Sequence, residues 1–528
     1  MDLLGSSLSG PNRLLELAPE IIQHILEYLK PKDVLSLSQT CSTARQFTLP
    51  SNQLLWQTCF IQEFDDPRIA WETWLPTARR NNAKIEEEWD WYTELRKRYI
   101  AIRAIVSEDA EKRKENYEEN IATLISMVET ASRLKVDKRS HESLNMNELM
   151  YAFEYSPSTE FFIHDFHTDR ESSLLPLLIT STNISRPLTR SMVSNGLSQS
   201  ASDLASRFHI VHGLTARERQ SRSAKGAARS LVYDWFLTGP SADYGPFKQD
   251  DPGEVNWKLL EAIYSVITRN FELVTDSRIH FPQGFQYNVA FHHRLADDKD
   301  WANIEGGLVG TYSFLDYTDL FHYNVAYRPG FRPQLDDNVE AYGDLMRLDL
   351  KLDNSLVTDP RLQTELPFCD DLPKLFFSGV SRSHEELDAT ALILVRGFAA
   401  LVKNGKQVRW RFIIAYGGED QWQLEGVQPG GPQTGGIFGL WSHCGHEANG
   451  PIGPFCYYPA LNGGTIPSHG STQEYNGCLS EITISTDLQT QQENEHEYTN
   501  VKSLRHRVSL QIAQQGQDIK VQAGLRRI

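Results

Sequence analysis

Cysteine is scarce in this chain: six residues among 528. They are too few and too dispersed to form a disulfide framework, so a reducing compartment, cytoplasmic or nuclear, is the expected setting. The sequon at Asn183 is accordingly read as incidental. Long apolar runs are also missing. The best candidate, "ALILVRGFAALV", is shorter than the roughly eighteen residues a membrane helix needs and carries Arg396 in its middle. The opening "MDLLGSSLSGPNRLLEL" has an acidic second residue and no apolar core, unlike a secretory signal. Positive charge is in deficit, 52 Lys and Arg against 69 Asp and Glu, a formal net charge of −17. That balance argues against a general nucleic-acid or anionic-membrane partner. The sequence contains no P-loop, no G-x-S-x-G elbow, no H-E-x-x-H and no G-x-G-x-x-G.

What is present suffices for real cores: 40% hydrophobic and 10% aromatic residues, in a chain long enough for two or three domains. Residues 13–64 read as three short helices. Pro19 suits a first helical turn and Glu20 its dipole; Ile21, Ile22, Ile25, Leu26 and Leu29 come next at helical spacing. Pro31 is expected to end that helix, Asp33 to cap the second (Val34, Leu35, Leu37), and Ser51 to cap a third carrying Leu54, Leu55, Trp56 and Phe60. About fifty residues cannot bury so many large apolar side chains among themselves, so a surplus face must meet something else.

Helical periodicity continues through about residue 152, with charged outer faces, and the Ser-rich stretch 181–205 reads as a mobile loop. The basic segment "LTARERQSRSAKGAARS" reads as a solvated helix face. From about residue 300 the period changes to two. "DLMRLDLKLD" alternates strictly, and "LVKNGKQVRWRFIIAY" predicts a hairpin turning at Asn404-Gly405 by a type I′ turn. Further strands are predicted at 307–314, 321–328, 374–381, 422–428, 436–442, 479–485 and 507–513. The fold class is therefore α+β and multidomain: residues 1–65, a mainly helical 66–300, and an antiparallel barrel or sandwich over 301–528.

Two clusters invite a metal. "GLWSHCGHEANGPIGPFCYYP" holds His443, Cys444, His446 and Cys456, but three of the four crowd within four positions, unlike the paired halves of structural zinc sites. On a strand His443 and Cys444 face opposite ways, so the segment reads as strand, glycine-proline turn and strand. His167 and Asp169, with His209 or His212, have the residue types of an iron facial triad and keep an Fe(II)/2-oxoglutarate oxygenase as a remote alternative. The β-rich region starts more than a hundred residues later, which disfavours it. No catalytic residue, cofactor or metal is expected.

Residues "LAPEIIQHILEYLKPKDVLSLSQTC" with the later "LLW" resemble an F-box. Leu17, Pro19, Glu20, Ile25, Leu29, Asp33, Leu35, Leu37, Cys41, Leu55 and Trp56 occupy the motif's usual positions; Ala18 separates Leu17 from Pro19, where many F-boxes have Leu-Pro adjacent. Further on, "HIVHGLTARER", "VNWKLLEAI", "GTYSFLDY", "VRWRFIIAYGGEDQWQLEGVQPGG" and "GLWSH…GPIGPF" are similar to fungal F-box proteins with long C-terminal regions. The β region also resembles, more faintly, the substrate-binding barrel of a vertebrate F-box protein that acts on cyclins. The resemblance implies a substrate receptor of an SCF ubiquitin ligase: a Skp-type adaptor bound by the F-box, a cullin and RING protein beyond it, and a client protein bound by the β domain. It places adaptor contacts at Leu17, Pro19, Glu20, Ile21, Ile25, Leu29, Leu35, Leu37, Leu55 and Trp56. Client contacts are expected at the aromatic set Trp301, Tyr312, Trp410, Trp422, Trp441 and His443. A scaffold or glycan-binding module built on the same F-box is the alternative.

Overall fold

A computed structural model describes residues 14–459 apart from 74–75, 132–142, 156–161, 163–198, 275–298, 328–331, 333–334, 344, 384–392 and 432–434. The chain divides into residues 1–466 and 467–528, and every described residue lies in the first unit. The strands predicted at 479–485 and 507–513 lie outside the described residues, as does most of the 181–205 stretch.

The N-terminal region contains four helices rather than three: α1 (Pro19–Leu26), α2 (Pro31–Ser38), α3 (Ser42–Phe47) and α4 (Gln53–Glu63). Pro31 opens α2 instead of ending α1, because a first-turn proline sacrifices no helical hydrogen bond; Asp33 then lies in the first turn. The additional helix α3 starts at Cys41, whose Sγ accepts from the Ala44 N–H at 3.4 Å. Asn52, not Ser51, caps α4. Its Oδ1 accepts from the Leu55 N–H, and its amide donates to Gln23 Oε1 at 2.8 Å and Phe47 O at 2.7 Å.

These helices do not form a separate core. Ile22, Leu26, Val34, Trp56 and Phe60 share one buried cluster with Leu95 of the helix Trp91–Ile105 and Leu124 of the helix Tyr117–Glu129. Trp56 meets Tyr92 edge-on at 4.9 Å. The Arg98 guanidinium lies over Phe60 and Phe64 at 4.4 and 4.9 Å and donates to Asn145 Oδ1 and Thr130 Oγ1. Burial lowers its pKa to about 9, against the pull of Glu94 and Asp65. One continuous core therefore fixes the orientation of the four N-terminal helices on the helices of residues 91–129.

The β region is a closed antiparallel barrel. Strands β1 (Leu308–Leu315), β3 (Met346–Leu352), β5 (Leu375–Ser383), β6 (Ile393–Val402), β7 (Val408–Tyr416), β8 (Glu419–Gln428), β9 (Ile437–His443) and β10 (Ile452–Pro459) pair in that order. The Leu308↔Pro459 to Tyr312↔Phe455 register joins β10 back to β1 and closes the ring of eight. The short strands β2 (Glu340–Tyr342) and β4 (Phe368–Cys369) pair with β1 and β6 from outside the ring. Closure answers the barrel-or-sandwich question, and it removes the exposed edges that an open sheet would leave.

Two local expectations fail. Of the strand predicted at 321–328, the described residues 321–327 form none: a helix over Tyr317–Phe321 runs into a π-helical turn at His322–Ala326. Asp316 accepts from the Thr318 and Asp319 N–H groups to start that helix, and the Asn324 amide ties its end to Leu320 O and Tyr233 O. The β6–β7 connection is the five residues 403–407 rather than a two-residue turn. Only Gly405 there has a positive φ, +71°, while Asn404 Oδ1 accepts from the Lys406 N–H and so spends its side chain on an Asx-turn.

Alternation sorts the strand residues cleanly. Trp410, Phe412, Phe377, Leu424, Phe455 and Tyr457 fill the interior. On the outer wall Val309, Val427, Phe438, Cys456 and Tyr458 pack against the long helix Trp257–Val274, whose residues from Leu259 to Phe271 are all buried. Tyr264 meets Phe438 edge-on at 5.0 Å, and Asn270 donates to Ser313 Oγ at 2.9 Å. The basic segment after residue 214 forms two helices, Ala216–Gln220 and Arg222–Val232, and Arg229 is buried on the second. Its guanidinium pairs with Glu340 at 2.7 Å and so clamps this helix to β2.

Candidate functional site

Two surfaces stand out, one at each extreme of the described sequence. On the N-terminal helices, Leu17, Ile21 and Leu35 are 39, 50 and 40% exposed, large fractions for apolar side chains. Pro19 and Glu20 are exposed beside them. Between α1 and α2 opens a groove of about 330 Å³, lined by Leu14, Ile25, Leu29 and Leu37 with Asp33 and Ser36 at its polar side. The surplus apolar face expected from composition is therefore real. Leu55 and Trp56 do not belong to it. Both are fully buried, and the Trp56 indole N–H donates to Leu49 O at 3.0 Å. They are core residues of α4, because their helical positions face the Trp91–Ile105 helix and not solvent.

At the barrel, the aromatic residues predicted to touch a client divide. Trp301 and Trp410 are 2 and 1% exposed inside the barrel, the first donating to Pro373 O and the second to Gln428 Oε1; both are packing residues. Trp441 is also buried, its N–H on Ser313 O. Tyr312, Trp422 and His443 are half-buried and gather with it at one end of the barrel. Trp422 meets Trp441 at 5.1 Å and 84°, and His443 at 5.7 Å and 88°; Tyr312 meets Trp441 at 6.1 Å and 81°. Phe314 and Tyr416 complete this mouth and were not anticipated. The signal that locates them is closure, since the C-terminal ends of β1, β7 and β9 fall at the same end as the N-terminal ends of β6, β8 and β10.

The His/Cys segment resolves as strand β9, a turn and strand β10, with its four side chains in four settings. Cys456 faces the long helix, and burial pushes its thiol well up. Cys444 packs with Phe398 and Ile413, where burial lifts its thiol to about 11. His443 lies at the mouth, while His446 stacks on Tyr244 with centroids 3.8 Å apart. Of the facial-triad residues, His167 and Asp169 lie outside the described residues. His209 is held between Glu261 at 2.7 Å and Glu218 at 2.9 Å, and burial lowers His212 to about 4. Among the described residues Cys369, Asp370 and Asp371 come within reach of one another, but Arg80 grips Asp371 at 2.6 and 2.7 Å.

Burial, with Arg411 and Arg361 nearby, lowers the His446 imidazole to about 4. The unfolded group titrates near 6.5, so the unfolded chain binds more protons between those values and stability falls as pH drops from about 6.5 to about 4. Replacing His446 by Phe keeps the stacking and removes the titration. Melting temperature measured against pH is expected to fall less steeply across that window in His446→Phe than in the parent.

The chain combines a helical module bearing an exposed apolar face with a closed barrel whose core is separate from that of the module. Residues 14–51 match the F-box domain family. The chain thus carries an F-box domain, a module that binds Skp-type adaptors within SCF complexes. No curated protein and no solved structure matches the chain. Among the described residues no helix is long and apolar enough to cross a membrane.

Proposed function

We propose that this protein is the substrate-recognition subunit of an SCF-type ubiquitin ligase. Its F-box docks a Skp-type adaptor, and through it a cullin and RING protein, and its barrel presents a client for ubiquitination. It works in the cytoplasm or nucleus, in the manner of fungal F-box proteins with long C-terminal regions. The observation that carries the reading is the apolar face of Leu17, Ile21 and Leu35 above the groove of Ile25, Leu29 and Leu37, on the very helices the family match covers. No chemistry is asked of this chain. It holds a client lysine near the charged conjugating enzyme, a gain in effective concentration. The core shared by α1, α4 and the Trp91–Ile105 helix supports that role, because it holds the docking helices rigidly on the helical region that follows them.

The test is co-purification with the adaptor. A Leu17→Ala, Pro19→Ala double variant is expected to fold and to lose the adaptor. A folded variant that retains it places the docking face elsewhere.

A further inference from the structure

We infer that the barrel mouth binds a cationic side chain of the client, a lysine or arginine, in a cage of perpendicular aromatic rings. This rests on the reading of the barrel as client receptor and adds the chemistry of what it reads.

The first observation is the ring geometry. Trp422 stands at 84° to Trp441 and 88° to His443, and Trp441 at 81° to Tyr312. Rings set at right angles make a corner, not the flat platform on which a sugar stacks. A corner presents several negative ring faces to one point, the arrangement that holds ammonium and guanidinium groups. The second observation is an orphaned hydroxyl. Ser381 is 2% exposed and its Oγ has no hydrogen-bond partner among the described residues. It pairs across β5 with Leu348 and Ile393, and Ile393 pairs with Tyr416; all three belong to or pack on the interior cluster. Ser381 therefore points inward, near the mouth. Leaving such a group unpaired costs about 1–3 kcal/mol, and a ligand N–H would remove the cost.

The third observation is charge. Alternation puts Arg347, Lys351, Arg382, Arg396, Arg409 and Arg411 on the outer wall. Among the described strand residues no lysine or arginine falls in the inward register. A phosphate or carboxylate in the mouth would thus be desolvated without a counter-charge, which is costly. A cation meets ring faces and a hydroxyl oxygen instead, and the net charge of −17 raises the local concentration of basic segments. Phe412 and Phe455 fill the interior beside these rings, so the inference is confined to one side chain and not a longer segment. An eight-stranded barrel leaves room for no more.

The test uses the full chain bound to its adaptor, labelled with 5-fluorotryptophan, with the Trp422 resonance assigned from its loss in Trp422→Leu. The probes are tripeptides acetyl-Gly-Xaa-Gly-N-methylamide with Xaa as Lys, Arg, Glu or Leu, and N,N′-diacetylchitobiose. Lys and Arg peptides are expected to shift the Trp422 and Trp441 signals, at least about fivefold more tightly than the Leu peptide, and Glu not to bind. Ser381→Ala is expected to weaken the Lys peptide and leave the Leu peptide unchanged. Leu or Glu binding as well as Lys, chitobiose binding in their place, or no shift with any probe overturns the proposal. Client capture in cells separates this from the parent reading. Capture lost in Trp422→Leu without a preference for cations removes only the charge assignment, while capture that survives both variants removes the mouth as the client site.

Discussion

A chain carrying Ile21→Asp and Leu35→Asp is expected to melt where the parent melts and to lose its Skp-type adaptor. Both side chains are largely in water in the free protein, 50 and 40% exposed, so a carboxylate there disturbs little of the core formed by Ile22, Leu26 and Val34. In the complex the same carboxylates would have to leave water for an apolar contact. A buried unpaired charge costs several kcal/mol, and even about 3 kcal/mol in total weakens binding by more than about 100-fold. Pull-down and calorimetry with purified adaptor measure the loss, and a thermal melt shows that the fold persists. Trp56→Ala makes the instructive contrast. Trp56 is fully buried, so its truncation is a core lesion that would cost adaptor binding only by unfolding the module.

The second large effect is one of stability. Glu425, 1% exposed, lies on the outer wall between Arg409 and Arg411, whose side chains are 3 and 4% exposed. Arg409 Nε donates to Glu425 at 3.1 Å, and Arg411 Nε donates to its other oxygen. Asp243 closes the network from the segment leading into Phe247, at 2.6 Å from Arg409 Nη2 and 2.8 Å from Arg411 Nη2. Burial opposes the charge on Asp243, but Arg409, Arg411 and the Thr364 hydroxyl outweigh it and hold the carboxyl below its usual range. Glu425→Ala strips the inner counter-charge from two buried guanidiniums and is expected to cost about 3–5 kcal/mol. Urea denaturation measures it, as a lower midpoint at unchanged slope. Glu425→Gln keeps the shape and part of the hydrogen bonding and is expected to lose less. If Glu425→Ala is neutral, these ions are not the clamp that holds the 243–247 segment to the barrel.

Much of this architecture was legible in the sequence because it depends on local rules. Pro19 and Glu20 mark a helix start, and the alternation of 346–352 and 408–416 marks strands, although 408–416 proves buried on both faces. What escaped is what depends on closure. Nothing in the local pattern of 308–315 says that this strand pairs with 452–459, far along the chain, so barrel and sandwich could not be told apart. The same gap hid part of the mouth: Tyr312 and Phe314 join Trp422 and Trp441 there only once β1 pairs with β10. Leu55, Trp56, Trp301 and Trp410 show the complementary error. A large aromatic or aliphatic side chain signals burial, and sequence alone does not tell burial against the chain's own core from burial against a partner. The unread helix at 317–321 arises from Asp316, a cap that overrode the β-prone residues after it.

If one end of this chain docks a ubiquitin ligase and the other selects its client, the two roles must be separable by substitution. Proximity labelling in cells, with and without proteasome inhibition, reads both at once when the parent is compared with Ile21→Asp, Leu35→Asp and with Trp422→Leu. Ubiquitinated neighbours are expected to accumulate with the parent under inhibition, to remain bound but unmodified with the docking variant, and to vanish with the mouth variant. A set of neighbours whose ubiquitination and turnover are the same in all three would refute that division of roles.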